Sequence, residues 1–446
     1  MTLRFSDDGG RHGRDSSPPS PILPLTESRF QPRRRIGFTA RVRRALRSRA
    51  LRLALVLFIF FNAAEVLLVR RNLLLSDPPA AEREFAAAAP RRERVYIASM
   101  HWNNAKVLKR HWNDAVVGLA GALGPENVFV SVYESGSWDG SKEALKELDA
   151  RLEALGAPRN ITLSNRTHRD EIDEEPEGEG WIETSRGKKE LRRIPYLAAL
   201  RNRTLQDLLE LYEQGIEFDK VLFLNDVVFT TDDVLTLLDT NDGSYAAACS
   251  LDFSNPPSYY DTFALRDSDG GSHLMQTWPF FRSSLSRKGV VANWPAVPVK
   301  SCWNGIVAMR AQPFVAEHHP LRFRGIPDSL AKHHLEASEC CLIHADNPLS
   351  AELGVYVNPR VRVGYNTAAY VATHPTTGTW VSPWGIFRGL WASRILRWVY
   401  RPETRDWIVA RRLKKWAAEG EGNVEPGAFC IINEMQVLVE RGWAHV

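Results

Sequence analysis

The fold is decided by the run VLFLNDVVF, residues 221–229, in which only Asn225 and Asp226 interrupt an apolar stretch. Runs of this kind, rich in β-branched and aromatic residues, are typical of a strand buried on both faces in a parallel sheet under helices. A carboxylate at the end of such a strand is costly unless something pairs with it. Ligand crevices of open α/β sheets lie at these strand ends. We therefore expect Asp226 either to accept a local hydrogen bond or to bind a cation.

The segments around this run alternate between strand and helix patterns. Strands are predicted at residues 95–100, 127–134 and 161–164, and helices at 108–123, 141–155 and 195–212. This βαβα order predicts a three-layer α/β domain with a mostly parallel central sheet. Later strands are predicted at residues 245–253 and 303–310, with an irregular strand pair over 355–365.

A second apolar run, LALVLFIFFNAAEVLLV over residues 53–69, contains one charge, Glu65. At about 1.5 Å per residue it spans roughly 25 Å, slightly less than a bilayer. Ten arginines lie within residues 29–52, and only two follow the run directly. By the positive-inside rule this asymmetry predicts a transmembrane signal-anchor helix over 53–71, with a cytosolic tail before it. The alternative, a core helix of a soluble protein, is kept open by Asn62 and Glu65.

The net charge of +4 is small and unevenly distributed. A basic tail can bind nucleic acid, but this one directly precedes an apolar run, so no nucleic-acid partner is predicted. Three glycosylation sequons support exposure of the rest of the chain to the secretory lumen; they begin at Asn160, Asn165 and Asn202.

The cysteines are too few for a disulfide scaffold: Cys249, Cys302, Cys340, Cys341 and Cys430. One or two bridges are expected, and the odd number leaves at least one thiol free. The adjacent Cys340 and Cys341 are not followed by a second pair at zinc spacing. Each could form a bridge elsewhere, and Cys302 is a plausible partner.

Six short motifs follow one another within residues 94–350: SVYESGSWD (131–139), YLAALRN (196–202), FLNDV (223–227), YDTFALRD (260–267), SCWNG (301–305) and SECC (338–341). Together and in this order they resemble the fungal CAP59/cryptococcal α-1,3-mannosyltransferase family. The resemblance implies a GT-A-like fold in a type II Golgi membrane protein. It implies α-1,3 transfer of mannose from GDP-mannose to a glycan acceptor with retention, assisted by Mn²⁺ or Mg²⁺, in cell-wall, capsule or glycoconjugate synthesis.

Composition, hydropathy and the extent of the resemblance, about residues 94–350, together divide the chain into four parts. Residues 1–50 are interpreted as a disordered basic cytosolic tail, 53–71 as the anchor helix and 72–93 as a stem. Residues 94–446 are the expected lumenal glycosyltransferase domain, whose last part, about 380–446, is predicted to be a helical, Trp-rich extension.

The FLNDV motif corresponds in position to the aspartate metal motif of GT-A glycosyltransferases, although the usual Asp-x-Asp is absent. The resemblance implies that Asp226 contacts the metal bound to the donor diphosphate. The alternative is a cap-like hydrogen bond to the turn before Thr231, which is expected to cap the next helix. Asn225 is expected to orient the turn or to contact the nucleotide ribose.

Arg201 and Asn202 resemble an Arg-Asn pair that faces the nucleotide in related mannosyltransferases, where a guanidinium can pair with a phosphate oxygen. The alternative for Arg201 is an ion pair on the helix surface. Trp303, Asn304 and Gly305 resemble the loop that packs on the donor sugar. Gly305 allows a close backbone approach, and Trp303 could stack on the sugar or belong to the core.

Glu339 corresponds to a late acidic residue near the sugar or the acceptor in GT-A enzymes. It is the candidate catalytic residue, as a base or as a stabiliser of an oxocarbenium-like transition state, and its alternative is a structural ion pair. His344 is the candidate second metal ligand, against the more common structural role of a lone histidine. Asp252 and Asp267 are candidates for contacts with sugar hydroxyls.

Two other functions remain open at this point. A non-catalytic homologue that binds glycan or nucleotide and assists polysaccharide assembly or export would explain the shortened Asn225-Asp226-Val227 motif. A nucleotide-sugar hydrolase is a third interpretation, distinguished from a transferase by turnover without acceptor.

Overall fold

The computed structural model describes residues 48–77, 93–399 and 403–446, without the side chains of residues 403–405. The predicted cytosolic tail up to residue 47 and residues 78–92 of the predicted stem lie outside the described residues. By internal contacts the chain divides into a unit that ends at Phe60 and a body that begins at Phe61.

The strands of the described residues are β1 (Val95–His101), β2 (Val128–Ser135), β3 (Arg159–Ser164), β4 (Trp181–Glu183), β5 (Lys189–Leu191), β6 (Lys220–Leu224), β7 (Ala247–Asn255), β8 (Ser258–Tyr259), β9 (Arg266–Asp267), β10 (Val297–Ser301), β11 (Ile306–Arg310), β12 (Glu336–Ala337), β13 (Val355–Gly364), β14 (Ile431–Ile432), β15 (Gln436–Val439) and β16 (Gly442–His445).

The α-helices are α1 (Arg49–Ser76), α2 (Ala105–Val107), α3 (Asn113–Leu123), α4 (Ser141–Leu155), α5 (His168–Ile172), α6 (Arg193–Arg203), α7 (Gln206–Glu213), α8 (Thr231–Leu238), α9 (Ser284–Val291), α10 (Asp328–Ala331), α11 (Glu339–Asp346), α12 (Ser350–Leu353), α13 (Thr367–Thr373), α14 (Pro383–Val399) and α15 (Glu403–Ala417). A π-helical turn, Leu108–Trp112, joins α2 to α3.

The main sheet has the order β3-β2-β1-β6-β11-β7-β13-β10-β9, with β8 beside β7. Strands β3, β2, β1 and β6 are parallel, as are β7 and β13. Strand β11 is antiparallel to both of its neighbours, and β10 is antiparallel to β13. The predicted α/β fold is therefore confirmed, with a central sheet that is parallel over β3, β2, β1 and β6 and mixed beyond β6.

Strand β6 lies at the centre of the sheet with all five residues buried. Side chains of opposite parity along it enter two different apolar clusters: Val221 and Phe223 in one, Leu222 and Leu224 in the other. A strand with apolar contacts on both faces has no solvated side, which explains its unbroken apolar sequence. The strand ends at Leu224, so Asn225 and Asp226 lie at its carboxyl end.

Two local expectations, about helix α8 and strand β13, are wrong. Helix α8 is capped by Thr230, whose side chain accepts from the backbone N–H of Asp233 in a capping box, and Thr231 is the first helical residue. Residues 355–365 form one strand rather than a pair, with a register irregularity between Val357 and Arg362, where Pro359 lacks an N–H.

The carboxyl-terminal region is not helical to its end. The helical pattern stops at Ala417, and the chain ends in the antiparallel pair β15–β16. Half-buried and exposed positions alternate along β16, with the two-residue period of a strand. Strand β14 pairs with β12, directly before Glu339.

Helix α1 is longer than the predicted anchor and continues to Ser76. Residues 72–76 therefore belong to this helix and not to a stem. Val69 and Leu73 are buried in the core of the body. Asp77, the next residue, forms an ion pair of 2.6 Å with Arg362.

The expected disulfide chemistry is found, but with different partners. Cys249 is bonded to Cys302, and Cys341 to Cys430, whereas Cys340 is a buried free thiol. The expectation that Cys302 pairs with an adjacent cysteine of α11 is wrong. Cys249 lies on β7, with a Cα–Cα distance of 6.1 Å to Cys302, inside the usual range for a bridge.

A buried ion network joins α6 to the second half of the body. The guanidinium of Arg192 contacts Glu336 Oε1 at 2.7 Å and Asp328 Oδ1 at 2.6 Å. Arg192 and Glu336 are almost fully buried. Removing one partner of such a pair leaves a charge in an apolar environment.

Arg192→Met is therefore expected to lower the free energy of unfolding by about 3–5 kcal/mol, because Glu336 stays buried without its cation. Urea unfolding of the detergent-solubilised chain measures this loss. The double variant Arg192→Met/Glu336→Leu should recover part of the stability. Equal stability of the single variant and the wild type would contradict a structural role for this pair.

Candidate active site

A cavity of about 710 Å³ opens at the carboxyl end of β6. Its wall includes four of the side chains predicted from the motifs: Arg201, Asn225, Trp303 and Glu339. They come from the end of α6, the end of β6, the loop between β10 and β11, and the first turn of α11. The fold thus brings together residues that are far apart in the sequence.

Arg201 is held in the cavity wall by an anion and by aromatic rings. Its Nε donates to Glu339 Oε1 at 3.1 Å, and both side chains are largely buried. The guanidinium carbon lies 4.4 Å from the centroid of the Trp303 ring and 5.8 Å from that of Phe323. Arg201 therefore forms an ion pair, as its alternative interpretation held, but inside the cavity wall and not on a helix surface.

Asn202, the next residue, has its amide committed to the backbone. Its Nδ2 donates to the carbonyl oxygen of Phe323 at 2.8 Å, and its Oδ1 accepts from the N–H of Phe323 at 2.9 Å. Asn202 therefore ties α6 to the segment that carries Phe323. Both polar atoms of its side chain therefore hydrogen-bond to the backbone of Phe323.

Trp303 lies between the cavity and the core. Its Nε1 donates to Asn225 Oδ1 at 3.1 Å, and its ring packs 5.2 Å from Phe223 of β6. The ring is almost fully buried and carries the Arg201 guanidinium on one face. These contacts position Asn225 and Arg201.

Gly305 brings the same loop against the end of β6. Its φ is +91°, and a Cβ at this position would lie 2.5 Å from Val363 Cγ2. Its carbonyl oxygen accepts from the N–H of Asn225 at 2.9 Å. Only glycine combines this conformation with this clearance. The space that a side chain would need at Gly305 is occupied by the side chains of Val363 and Asp252.

Asp252 and Asn304 form a buried pair behind the cavity. Asn304 Nδ2 donates to Asp252 Oδ1 at 2.8 Å, and the Tyr365 hydroxyl donates to Asp252 Oδ2 at 3.2 Å. Burial, together with the nearby carboxylate of Asp261, raises the pKa of Asp252 to about 7. A buried carboxyl whose pKa is raised by burial and by a neighbouring carboxylate is a sign of a polar functional region.

Asp261 is a cavity residue that the sequence argument missed. Its Oδ1 accepts from the N–H groups of Phe263 and Ala264, both at 3.0 Å, and burial raises its pKa. Asp261 lies in the YDTFALRD motif, in which Asp267 was the residue predicted to contact sugar hydroxyls. Asp267 accepts from three backbone N–H groups and closes a turn.

Asp226 follows Asn225 and is half-buried. Its Oδ2 accepts from Asn104 Nδ2 at 2.7 Å, a partner from the loop after β1 that the sequence argument missed. Burial raises the pKa of Asp226 to about 6. Within the described residues no lysine or arginine forms an ion pair with it. The alternative of a cap for α8 does not apply, because Thr230 and Asp233 form that cap.

His344 has a structural environment. It is buried in α11, and its Nε2 lies 2.6 Å from the carbonyl oxygen of Cys302. Burial lowers its pKa to about 4. It forms a compact group with Cys249 and Cys302, whose sulfurs are bonded to each other and so do not act as thiolate ligands. No contact between His344 and Asp226 occurs in the described part of the chain.

Another part of the cavity wall comes from α15 and the carboxyl-terminal strands. Its residues include Asp406, Asn433, Glu434, Gln436 and Trp443. Trp443 is 43% exposed. The Arg193 guanidinium lies 4.7 Å from its ring centroid and donates to Gln436 Oε1 at 2.6 Å. This part of the wall was not predicted from the sequence, because residues 380–446 were expected to be helical.

The model of one protein family, described as cryptococcal mannosyltransferase 1, matches residues 94–346, more than half of the chain. No curated protein matches the chain in sequence.

Several solved structures share a distant similarity. A mannosyltransferase from Pyrobaculum calidifontis in complex with GDP-Man and Mn²⁺ is 11% identical, with a TM-score of 0.32, over 84% of this chain and 88% of that chain. TarS from S. aureus in complex with UDP is 12% identical, with a TM-score of 0.32, over 73% and 72%. Glucosyl-3-phosphoglycerate synthase from M. tuberculosis is 13% identical, with a TM-score of 0.26, over 70% and 84%.

The raised pKa of Asp252 predicts a pH-dependent stability. Its value in the folded chain is about 7, against an ordinary value of 3.8, so the folded chain holds a proton that the unfolded chain loses between these values. This contribution to the free energy of unfolding is therefore expected to fall as the pH rises from about 4 to about 7.

Asp252→Asn should make this pH dependence shallower, and the exposed Asp242→Asn should not. Thermal unfolding at several pH values across this range measures the slope. An unchanged slope in Asp252→Asn would show that Asp252 is ionised at both ends of the range.

Proposed function

The chain belongs to the cryptococcal mannosyltransferase 1 family, and from this premise we propose that it transfers mannose from GDP-mannose to a glycan acceptor. As a member of this family it is a glycosyltransferase. The observation that carries the finer proposal is the convergence of Arg201, Asn225 and Glu339 in one cavity at the end of β6, next to Asp226.

The residues at the end of β6 fit a divalent cation. Asp226 is a half-buried carboxylate whose hydrogen-bond partner, Asn104, is neutral. Desolvation raises its pKa, and a bound cation would favour the ionised form. Mn²⁺ or Mg²⁺ would neutralise the diphosphate as GDP leaves. One carboxylate supplies only part of the ligands that such a cation needs. Diphosphate oxygens and water would supply the others.

We assign the reacting sugar to the region of Glu339. Its carboxylate is fixed by Arg201, which is itself held by the Trp303 ring. A fixed carboxylate can take the proton of an acceptor hydroxyl or stabilise positive charge that develops on the sugar. Arg201 is also near enough to the cavity to pair with a phosphate oxygen if its ion pair opens. Asn225 would bind the ribose or keep Trp303 in place.

The acceptor glycan is assigned to the carboxyl-terminal wall. The exposed face of Trp443 is the type of surface on which a sugar ring packs. Asn433 and Glu434 supply amide and carboxylate groups for hydroxyl contacts on the same wall. This wall lies beyond residue 346, where the family match ends. Retention and the α-1,3 linkage rest on the family resemblance.

The site of action is proposed to be the lumen of the Golgi or another secretory compartment, with α1 as a type II anchor. The apolar length of α1 supports a membrane span. The two disulfides in the described residues are expected in an oxidising compartment.

In Asp226→Asn the side chain keeps nearly the same shape and an oxygen that can accept from Asn104, but it loses its charge. It is expected to lower metal-dependent GDP release from GDP-mannose by about 100-fold or more, the order expected for loss of one electrostatic contact in a transition state. Asp242→Asn, an exposed carboxylate, is the matched control. Full activity of Asp226→Asn would refute the metal assignment.

The same assay separates the other candidate functions. GDP binding by calorimetry without release of sugar would identify a non-catalytic homologue. Equal turnover with and without an acceptor would identify a nucleotide-sugar hydrolase.

Trp443→Ala is expected to raise the KM for mannose oligosaccharide acceptors about tenfold, the equivalent of about 1.4 kcal/mol. The KM for GDP-mannose should stay unchanged, because the proposed donor groups belong to α6, β6 and α11 and not to the carboxyl-terminal strands. Trp407→Ala, which removes an exposed tryptophan of α15 outside the cavity wall, is the control. An equal rise in the donor KM would contradict a separate acceptor wall.

A further inference from the structure

The second half of α1 is part of the folded body. From Asn62 onward one face of the helix is covered, and Val66, Val69 and Leu73 pack against the main core. The end of the helix is fastened by Asn293, whose Nδ2 donates to Ser76 Oγ at 2.8 Å. Residues 62–76 of α1 are therefore packed as part of the body.

The two polar side chains of the apolar run face α14. Trp391 Nε1 donates to Asn62 Oδ1 at 2.5 Å, and Arg394 forms an ion pair with Glu65. Arg394 also lies 5.1 Å from the ring centroid of Trp391. Helix α14 thus provides a hydrogen-bond partner for Asn62 and an ion-pair partner for Glu65. Without partners, these two side chains would be the most costly of the run to place in hydrocarbon. It lies at the same level as residues 62–65 of α1.

The opposite face of α1 stays apolar and open at this level. Leu67 and Leu68 are exposed beside the covered Val66 and Val69. The helical part before Asn62, residues 49–61, is about 20 Å long at 1.5 Å per residue. This is less than the roughly 30 Å of a hydrocarbon core. A bilayer that α1 crosses must therefore reach the level at which α14 is attached.

Helix α14 carries an apolar surface of its own. Its inner face, Ile386, Gly389 and Ser393, is buried on the body. A Cβ on Gly389 would lie 2.4 Å from the carbonyl oxygen of Trp278, so the helix is seated closely. Its outer side exposes four large apolar side chains: Trp384 at 67%, Ile395 at 53%, Trp398 at 92% and Val399 at 73%.

These side chains follow the helical period, at positions i, i+11, i+14 and i+15, and the exposed Arg388 lies on the same side of the helix. Arg397 is also exposed, but it follows Ser393 of the inner face by one turn. Tryptophan and arginine on an apolar helix face are typical of elements that lie in a membrane interface, where the rings enter the acyl boundary and the cations meet the headgroups.

We propose that α14 lies in the lipid bilayer interface, in the leaflet on the catalytic side, and fixes the body against the membrane. The proposal rests on the membrane anchoring by α1 that is part of the proposed function. The occupant of the exposed α14 face is lipid. Three observations support lipid as the occupant. Helix α14 contacts α1 at Asn62 and Glu65, residues 49–61 of α1 are shorter than a hydrocarbon core, and the exposed face of α14 carries tryptophan and arginine.

The test uses the full chain in lipid nanodiscs with a nitroxide label at one introduced cysteine. Trp398→Cys reports on α14, Leu67→Cys on the open face of α1, and Tyr212→Cys on an exposed site of α7. The unsubstituted chain gives the background from Cys340. The measurement is the relaxation enhancement by oxygen, which partitions into lipid, relative to that by a water-soluble nickel chelate.

The label at residue 398 should be relaxed mainly by oxygen, as at 67, and the label at 212 mainly by nickel. A water-like response at 398 with a lipid-like response at 67 would overturn the proposal and leave the anchor intact. A water-like response at both positions would refute the anchor as well. Protection from both reagents at 398 would show that a second copy or another protein covers this face, which also overturns the proposal.

Discussion

The ion pair between Arg201 and Glu339 is the contact on which the candidate site depends. It is largely buried, and breaking such a pair leaves an uncompensated charge in an apolar environment. Trp303 supports the guanidinium from one side and holds Asn225 through its indole N–H. The pair therefore connects helix α6, the end of strand β6 and helix α11. A shift of any one of them would move the others.

The carboxyl-terminal region completes this arrangement from outside the matched part of the family. The disulfide between Cys341 and Cys430 attaches it to α11, two residues after Glu339. Strands β12 and β14 pair at the same place. The wall is therefore attached covalently close to the candidate catalytic carboxylate.

The sequence predicted the sheet core and four side chains of the cavity wall, because strand β6 and the motifs combine buried strands with polar residues at strand ends. It did not predict Asp261 as a cavity residue, since nothing local distinguishes it from Asp267, and only the fold shows that Asp267 closes a turn. Asn104 was missed because its contact with Asp226 spans more than a hundred residues. His344 shares a motif region with Glu339, but its partner is the backbone of Cys302.

The most direct test of a metal-assisted glycosyltransferase at the end of β6 is nucleotide release by the purified full chain from a panel of nucleotide sugars, with Mn²⁺ and with a chelator. We expect GDP release from GDP-mannose in the presence of Mn²⁺, in proportion to sugar transferred to acceptor, and its loss with the chelator. Binding of GDP without turnover of any nucleotide sugar, under conditions in which the chain is folded, would contradict this account.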